Sequence, residues 1–329
     1  VIGVNLIAVI GMGSIAARHR RNIKALFPVA KVAALPSSGR SVDITSTSDC
    51  DYVYKSIEDL CAQKPDFVII ASPSSCRLVF VSPLLANRIP FLIEKPLAST
   101  VSEAREIEQA CLANAYDTPT AVAYCLRHLE SADFLKSQIE SKAFGDIYSV
   151  TIEVGQYLPD WRPGQDYRNS VSANAVLGGG ALNELSHELD YAQWLFGPLH
   201  LEYASVRNTG ALDVDVEDVV DMSLHTQLGI NVNIHLDFLQ KKPVRKCVII
   251  AERGRVEWDL IVDKIHLDHG DRVEYLYDSK GADRNSMYMI MLQRFHQKIL
   301  GGKEQGSFCT PTQAMQVVEI INLAKSRKA

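Results

Sequence analysis

Hydrophobic and polar positions follow two different rhythms along this chain. Through the first 125 residues, short unbroken apolar runs trade places with amphipathic stretches. This predicts strands at 6–10, 31–35, 67–71, 90–93 and 120–124, and helices at 14–26, 56–62, 77–87 and 102–114. Unbroken apolar strands separated by helices imply a parallel sheet covered on both faces. After about residue 145 the rhythm shifts toward period two, with strands predicted at 147–157, 201–208, 219–227, 230–239, 246–251, 255–261 and 272–277. INVNIHLDF is the clearest case: Ile230, Val232, Ile234, Leu236 and Phe238 take one face, and Asn231, Asn233, His235 and Asp237 the other. Such alternation marks a half-buried antiparallel strand. One helix over 181–196 interrupts this half and stops at Gly197-Pro198; a last helix opens after Thr310-Pro311.

Composition narrows the classes of function. At 329 residues the chain suits two domains of ordinary size, and 47% apolar with 22% charged residues is a globular make-up. A formal charge of -5 with no dense Lys/Arg run argues against a nucleic-acid partner. The short basic cluster Arg18 to Arg21 is read as the solvated side of a helix. Seven scattered cysteines with no CxxC pair indicate a reducing compartment, with neither a disulfide framework nor a zinc site, so no metal is expected. The apolar start lacks a basic n-region and a cleavage site, and no apolar run reaches membrane-spanning length. A cytoplasmic location without a membrane partner is expected.

The candidate chemistry starts at VIGMGSIAARH. Gly11, Gly13 and Ala16 follow a strand and open a helix in the G-x-G-x-x-G/A pattern: a tight turn, a close backbone approach to a pyrophosphate, and close helix–strand packing. The helix N-terminus at Ser14 and Ile15 then offers N–H groups and partial positive charge to phosphates. The second strand ends in Pro36-Ser37-Ser38-Gly39-Arg40 with no acid to hold a ribose 2′-hydroxyl. Two hydroxyls and a guanidinium suit a 2′-phosphate, so NADP(H) is favoured over NAD(H).

At FLIEKPLAS four apolar residues end in Glu94, Lys95 and Pro96. The carboxyl end of a strand in a doubly wound sheet faces the ligand crevice, where an ammonium can donate to a substrate oxygen. Together with IIASPSSCR at 69–77, AYCLRH at 123–128 and GGGALNELSHELDYAQWLFG at 178–197, these motifs resemble one family. It is named for glucose–fructose oxidoreductase, inositol dehydrogenase and a rhizopine-catabolism protein (Gfo/Idh/MocA). The resemblance covers nearly the whole chain.

It implies an α/β fold: a Rossmann domain over 1–125, and an α+β domain with an open, mostly antiparallel sheet over 126–310 for substrate binding and oligomerisation. A C-terminal helix over 311–329 is expected to pack back toward the first domain. It also implies NAD(P)-linked chemistry on sugars and cyclitols, catalysis by Lys95, cofactor contacts from Ser72, Pro73 and Glu94, and homo-oligomers through the C-terminal sheet. The family places the proline after its lysine in an unusual, sometimes cis, peptide. The chain departs from the family's usual Thr-Pro-Asn and following histidine, having Ser72-Pro73-Ser74 and Arg77.

In the GGG segment His187 and Asp190 fit the family motif, and His187 is the candidate general acid/base. Counting backward from His187 the remaining polar position is Asn183; counting forward from the glycines it is Glu184, and both stay open. Leu182, Leu185, Leu189 and Leu195 form the apolar stripe, leaving Asn183, His187 and Asp190 on another face. Arg127 suits either a substrate or a lock at the domain junction. In QYLPDWRPGQDYR, the rings of Tyr157, Trp161 and Tyr167 can stack on a sugar while Arg162 and Arg168 grip an anion, which points to a nucleotide sugar, a uronate or a nonulosonate. The expected activity is an NAD(P)-dependent dehydrogenase or reductase acting on a CH–OH carbon of a sugar. The alternatives are an NAD-retaining glycoside-cleaving enzyme and a non-catalytic sugar or cofactor sensor.

Overall fold

A computed structural model describes residues 4–38, 48–115, 118–302 and 308–327. In chain order it runs β1 (Leu6–Ile10), α1 (Ser14–Leu26), β2 (Lys31–Leu35), β3 (Tyr52–Val53), α2 (Ile57–Ala62), β4 (Phe67–Ile70), α3 (Leu78–Ala86), β5 (Phe91–Glu94), α4 (Val101–Ala113) and β6 (Thr120–Ala123). There follow α5 (Glu130–Glu140), β7 (Ile147–Gly155), α6 (Ala181–Glu184), α7 (His187–Phe196), β8 (Leu199–Arg207), β9 (Val219–Thr226) and β10 (Asn231–Asp237). The chain ends with β11 (Val244–Ala251), β12 (Gly254–Asp259), β13 (Lys264–Asp268), β14 (Val273–Asp278), α8 (Ser286–Ile299) and α9 (Pro311–Ser326).

Two compact units divide the described residues, one from 1–125 with 285–318 and one from 126–284 with 319–329. In the first, β1 to β6 form a wholly parallel sheet in the order β3-β2-β1-β4-β5-β6, the doubly wound arrangement expected from the sequence. Its strands are buried on both faces, which is why they read as unbroken apolar runs: Ile7 to Ile10, Phe67 to Ile70 and Phe91 to Ile93 are all fully buried. The segment 285–310, grouped above with the second domain, clusters with this sheet. The reason is aromatic: Phe295 of α8 meets Phe67 of β4 edge to face at 5.7 Å, and His296 meets Phe27 at 5.3 Å.

In the second unit β7 to β14 form one sheet in the order β14-β13-β12-β11-β7-β10-β9-β8. Every pair is antiparallel except β10 with β7, so INVNIHLDF has one parallel neighbour as well as the antiparallel one its pattern suggests. The alternation holds over 231–236, with Val232, Ile234 and Leu236 buried and Asn231 and Asn233 exposed, but Asp237 of the polar face is buried, its carboxylate taken by the Leu239 and Gln240 N–H groups. Helices α5 and α7 cover the inner face, where Tyr191 meets Trp258 at 5.4 Å and Trp258 donates to Ser131 at 3.1 Å.

The single helix expected over 181–196 is broken at Leu185 and Ser186. The Ser186 hydroxyl donates to the Asn183 carbonyl at 3.0 Å, a local side-chain bond that competes with the helical ladder. The break makes His187 the first residue of α7.

Candidate active site

In the first unit the glycine loop and the EKP strand end are built from the carboxyl ends of β1, β4 and β5. Gly11 has φ +118°, and a Cβ there would sit 2.5 Å from the Ala71 carbonyl oxygen, so only glycine permits this approach of β1 to β4. At Gly13 the space beyond a notional Cβ is open. Helix α1 starts with no acidic residue and no capping side chain in its first turn, leaving its N-terminus to an anion. Ser14 is exposed, Ile15 is half-buried, and Ala16 is fully buried against the sheet. These features fit a dinucleotide pyrophosphate.

The loop is locked from behind. Arg20 is 2% exposed and donates to the Gly11 carbonyl at 3.0 Å and to both oxygens of Asp49 at 2.9 and 3.1 Å. The reading of Arg18 to Arg21 as solvated surface is therefore corrected for Arg20. One turn on from Ala16, positions 19 and 20 both face inward, and Ile23 continues that face.

Arg77 is buried too. It donates to the carbonyls of Ser72 at 3.2 and 3.4 Å, of Lys95 at 3.3 Å and of Glu94, tying the Ser-Pro-Ser turn after β4 to the end of β5. Where the family motif more often has histidine, this chain has a backbone clamp. Burial draws the Arg77 guanidinium down to about 10.

Glu94 accepts from His19 Nε2 at 2.6 Å and from the Lys95 backbone N–H at 3.2 Å. Burial pushes its carboxyl up, but the His19 hydrogen bond and the charges of His19, Arg77 and Lys95 outweigh this and hold it below the usual range. Lys95 follows, half-buried, with a cis bond to Pro96. Ser37 is half-buried and Ser38 exposed in the turn after β2, whereas Arg40 lies outside the described residues.

In the second unit the glycine turn at 178–180 opens α6. Asn183 is 6% exposed, and its amide donates to the Gly178 and Gly179 carbonyls at 3.0 and 3.2 Å. Glu184 and His187 are the half-exposed polar groups that follow it. The four leucines of the predicted stripe are buried, but Asp190, read as sharing the face of His187, is buried as well. It receives a forked pair of bonds from Arg127 at 2.8 and 2.7 Å, and Arg127 is fully buried. This fork ties Arg127 to α7 from inside the unit, a bond that neither of the two roles left open for it, a substrate contact or a lock at the domain junction, had anticipated. A second fork, Arg245 on Glu188 at 2.7 and 3.0 Å, holds the same helix.

The loop after β7 encloses a cavity of about 320 Å³, whose wall includes Trp161, Arg162, Tyr167, Asn169, Ser170 and Ser172. Arg168, expected to grip an anion beside Arg162, instead binds Asp166 at 2.8 to 3.2 Å and Asp213 at 3.3 Å. Asp166 lies two residues before it in the turn, so the nearest carboxylate takes the guanidinium. Tyr157 is covered by Lys241, whose Nζ lies 3.1 Å from the ring centroid. Among the described residues no group of three His, Cys, Asp or Glu side chains is placed to hold a metal, and no helix is long and apolar enough to cross a membrane.

The sequence reading missed His19, Arg20, the Ser170 hydroxyl and the Ser172 backbone on the cavity wall. For His19 and Arg20 a signal existed: they share the inward face of the helix that opens at the glycine loop. For the serines there was none, since their role depends on how an irregular loop folds back.

Residues 6–115 match the oxidoreductase family with an NAD-binding Rossmann fold, and residues 133–257 match the Gfo/Idh/MocA C-terminal domain. The rhizopine catabolism protein MocA of Rhizobium meliloti is 29% identical over 163 residues, a match spanning 48% of each chain, about half the length of that relative. Inositol 2-dehydrogenase 2 of Paenarthrobacter aurescens is 24% identical over 262 residues, or 75% of this chain and 73% of the relative. Among solved structures, levoglucosan dehydrogenase in complex with NADH and levoglucosan has a TM-score of 0.81 at 17% identity, covering 98% of both chains. A UDP-N-acetylglucosamine 3-dehydrogenase from Acidithiobacillus ferrooxidans has 0.77 at 16%, covering all of this chain and 98% of the other. At such identities the structural likeness is one of fold. With the motifs of both units in place and a family match to each, the chain belongs to the Gfo/Idh/MocA family of oxidoreductases.

Proposed function

We propose that this protein is an NAD(P)-dependent dehydrogenase or reductase acting on a hydroxyl or carbonyl carbon of a sugar derivative. The observation that carries this reading is the buried clamp of His19, Glu94 and Arg77, which fixes the backbone of Lys95 at the carboxyl end of β5. A lysine whose carrier is held this rigidly suits a positioned hydrogen-bond donor that orients the reacting oxygen. The nicotinamide, when bound, accepts or returns a hydride. The chain's own groups handle the proton: the Lys95 ammonium donates to the reacting oxygen, and the His187 imidazole takes or returns the proton. Glu184 is the acid we assign beside His187, because the Asn183 amide is engaged by the glycine turn.

The glycine loop, with Gly11, Gly13, Ser14 and Ile15, cradles the pyrophosphate. The hydroxyls of Ser37 and Ser38 and the absence of an acid at 36–38 favour NADP(H), and Asp49 is already held by Arg20. The substrate class we favour is an anionic sugar, because Arg162 with Trp161 and Tyr167 lines the cavity after β7.

A second copy of the chain is the partner we assign to the open face of the eight-stranded sheet. Across it runs a register row Ser205, Asp221, His235, Glu153, Lys246, Asp259, Lys264, Asp278, whose charges alternate in sign. A twofold axis between β7 and β11 sets acids of one copy over bases of the other. Lys246→Glu should raise the dissociation constant in sedimentation, and adding Glu153→Lys should restore it; a monomeric wild type sinks this assignment.

The dehydrogenase reading is tested by following nicotinamide absorbance with NADP(H) and NAD(H) against uronates, nucleotide sugars and cyclitols. Lys95→Met should lower turnover by about 100-fold or more with cofactor affinity kept. No net change in nicotinamide with any sugar, in either direction, would overturn it. Turnover of a glycoside without net change would point instead to transient oxidation.

A further inference from the structure

We propose that the cavity after β7 is an anion subsite, built from the Trp161 indole N–H, the Ser170 hydroxyl and Arg162, that takes the carboxylate or phosphate of the substrate. This rests on the dehydrogenase reading above and specifies its substrate.

The first observation is a pair of orphaned donors. Trp161 Nε1 and Ser170 Oγ are both buried, belong to residues on the cavity wall, and have no hydrogen-bond partner among the described residues. An indole nitrogen is a donor only. Buried polar groups of this kind are normally paired, so two on one cavity mark a place where a ligand completes the network. The second observation is the disposition of charge. Asp166 is the only acid on the wall, and its oxygens accept three bonds from the Arg168 guanidinium and one from the Arg168 N–H. The loop thus neutralises its own carboxylate outside the donor set, and Arg162 is the one basic residue of the wall. Two neutral donors and a guanidinium recognise anionic oxygens rather than a hydroxyl-rich neutral ring.

Size and connection favour a small ligand near His187. A volume of about 320 Å³ lies at the lower end for small-molecule pockets, room for a monosaccharide rather than a whole nucleotide sugar. The Ser172 carbonyl on the same segment accepts from the Gly180 N–H at 3.0 Å. A Cβ at Gly179 would lie 2.4 Å from the Val171 carbonyl, so the glycine turn and the cavity wall are pressed together. Gly180 directly precedes α6, whose next helix begins at His187. The subsite is therefore anchored by backbone contact to the segment carrying the imidazole.

The test is an indole ¹⁵N–¹H spectrum of the full chain with NADP(H) present. It holds signals from Trp161, Trp194 and Trp258, with Trp161 assigned by its loss in Trp161→Phe. Glucuronate, glucose 1-phosphate and glucose are the probes. The Trp161 proton should move with glucuronate or glucose 1-phosphate and not with glucose; which of the two moves it identifies carboxylate or phosphate as the group bound. Trp161→Phe and Ser170→Ala should each weaken binding of that anion by about tenfold. Ser170→Ala should leave the melting temperature unchanged, because it removes an unpartnered hydroxyl rather than a structural bond. A Trp161 proton that ignores both anions, or that responds equally to glucose, overturns the proposal. If the anion shifts appear while no sugar is turned over, the subsite stands and the dehydrogenase reading falls. Turnover of neutral sugars with no anion response gives the reverse.

Discussion

Replacing His19 by leucine tests the clamp behind Lys95 directly. His19 is fully buried, and its Nε2 lies 2.6 Å from a Glu94 carboxylate that is itself buried. Leucine roughly keeps the volume and removes the donor, so the main loss is one hydrogen bond to a charged group, about 2 kcal/mol. Arg77 and Lys95 stay near Glu94, which limits the loss to that one bond. With the Glu94 carboxyl depressed in the folded protein, its stabilisation is present above the ordinary glutamate value and disappears as pH falls through the lower folded value. The difference between wild type and His19→Leu should be full near neutral pH and shrink toward acid. For a domain of 150–250 residues each kcal/mol is worth about 2–4 °C, so the melting temperature should fall by about 4–8 °C at neutral pH. Calorimetry is the assay to use. The three tryptophans all lie in the other unit, so their fluorescence would miss the event. His19→Gln, which can place an amide nitrogen near Nε2, should recover most of the loss. A His19→Leu protein as stable as wild type near neutral pH, or a gap that widens on acidification, would refute the reasoning.

Three further outcomes are expected. Arg127→Met strands the buried Asp190 carboxylate and should cost about 3–5 kcal/mol, read by Trp194 fluorescence since Arg127 lies over that ring at 5.5 Å; adding Asp190→Leu should return part of it. His235 is pushed up to about 9, first by its bond to Asp237 and then by Asp221, so its stabilisation is complete below the ordinary histidine value and is lost as pH rises through about 9. His235→Gln should thus cost about 1 kcal/mol near pH 6 after allowance for its exposure, measured by urea titration, and nothing above about pH 10. Titration of cofactor affinity should show tighter NADPH than NADH binding, and Ser37→Asp should weaken NADPH by about tenfold or more; equal affinities in the wild type would discard the 2′-phosphate assignment.

What the sequence determined by itself was whatever short-range pattern encodes. Unbroken apolar runs with glycine turns between strand and helix specified a parallel sheet, because strands buried on both faces need apolar residues at every position. Period-two alternation specified the second sheet for the complementary reason. The glycine loop and EKP were legible because close backbone approach and a strand end in a crevice restrict residue type locally, as Gly11 against Ala71 shows. Other features needed the tertiary structure, because they join residues far apart in the chain. His19 finds Glu94 across 75 positions and Arg127 finds Asp190 across 63, which made part of a supposedly solvated cluster a scaffold and tied Arg127 to α7. Helix α8 joined the first unit through Phe295, a side chain whose partner no local pattern names. Likewise only the folded loop separated Arg168, taken by Asp166 and Asp213, from Arg162 on the cavity wall. Two arginines six residues apart look alike in a sequence, because the place each takes on a folded loop is set by contacts that local pattern does not encode.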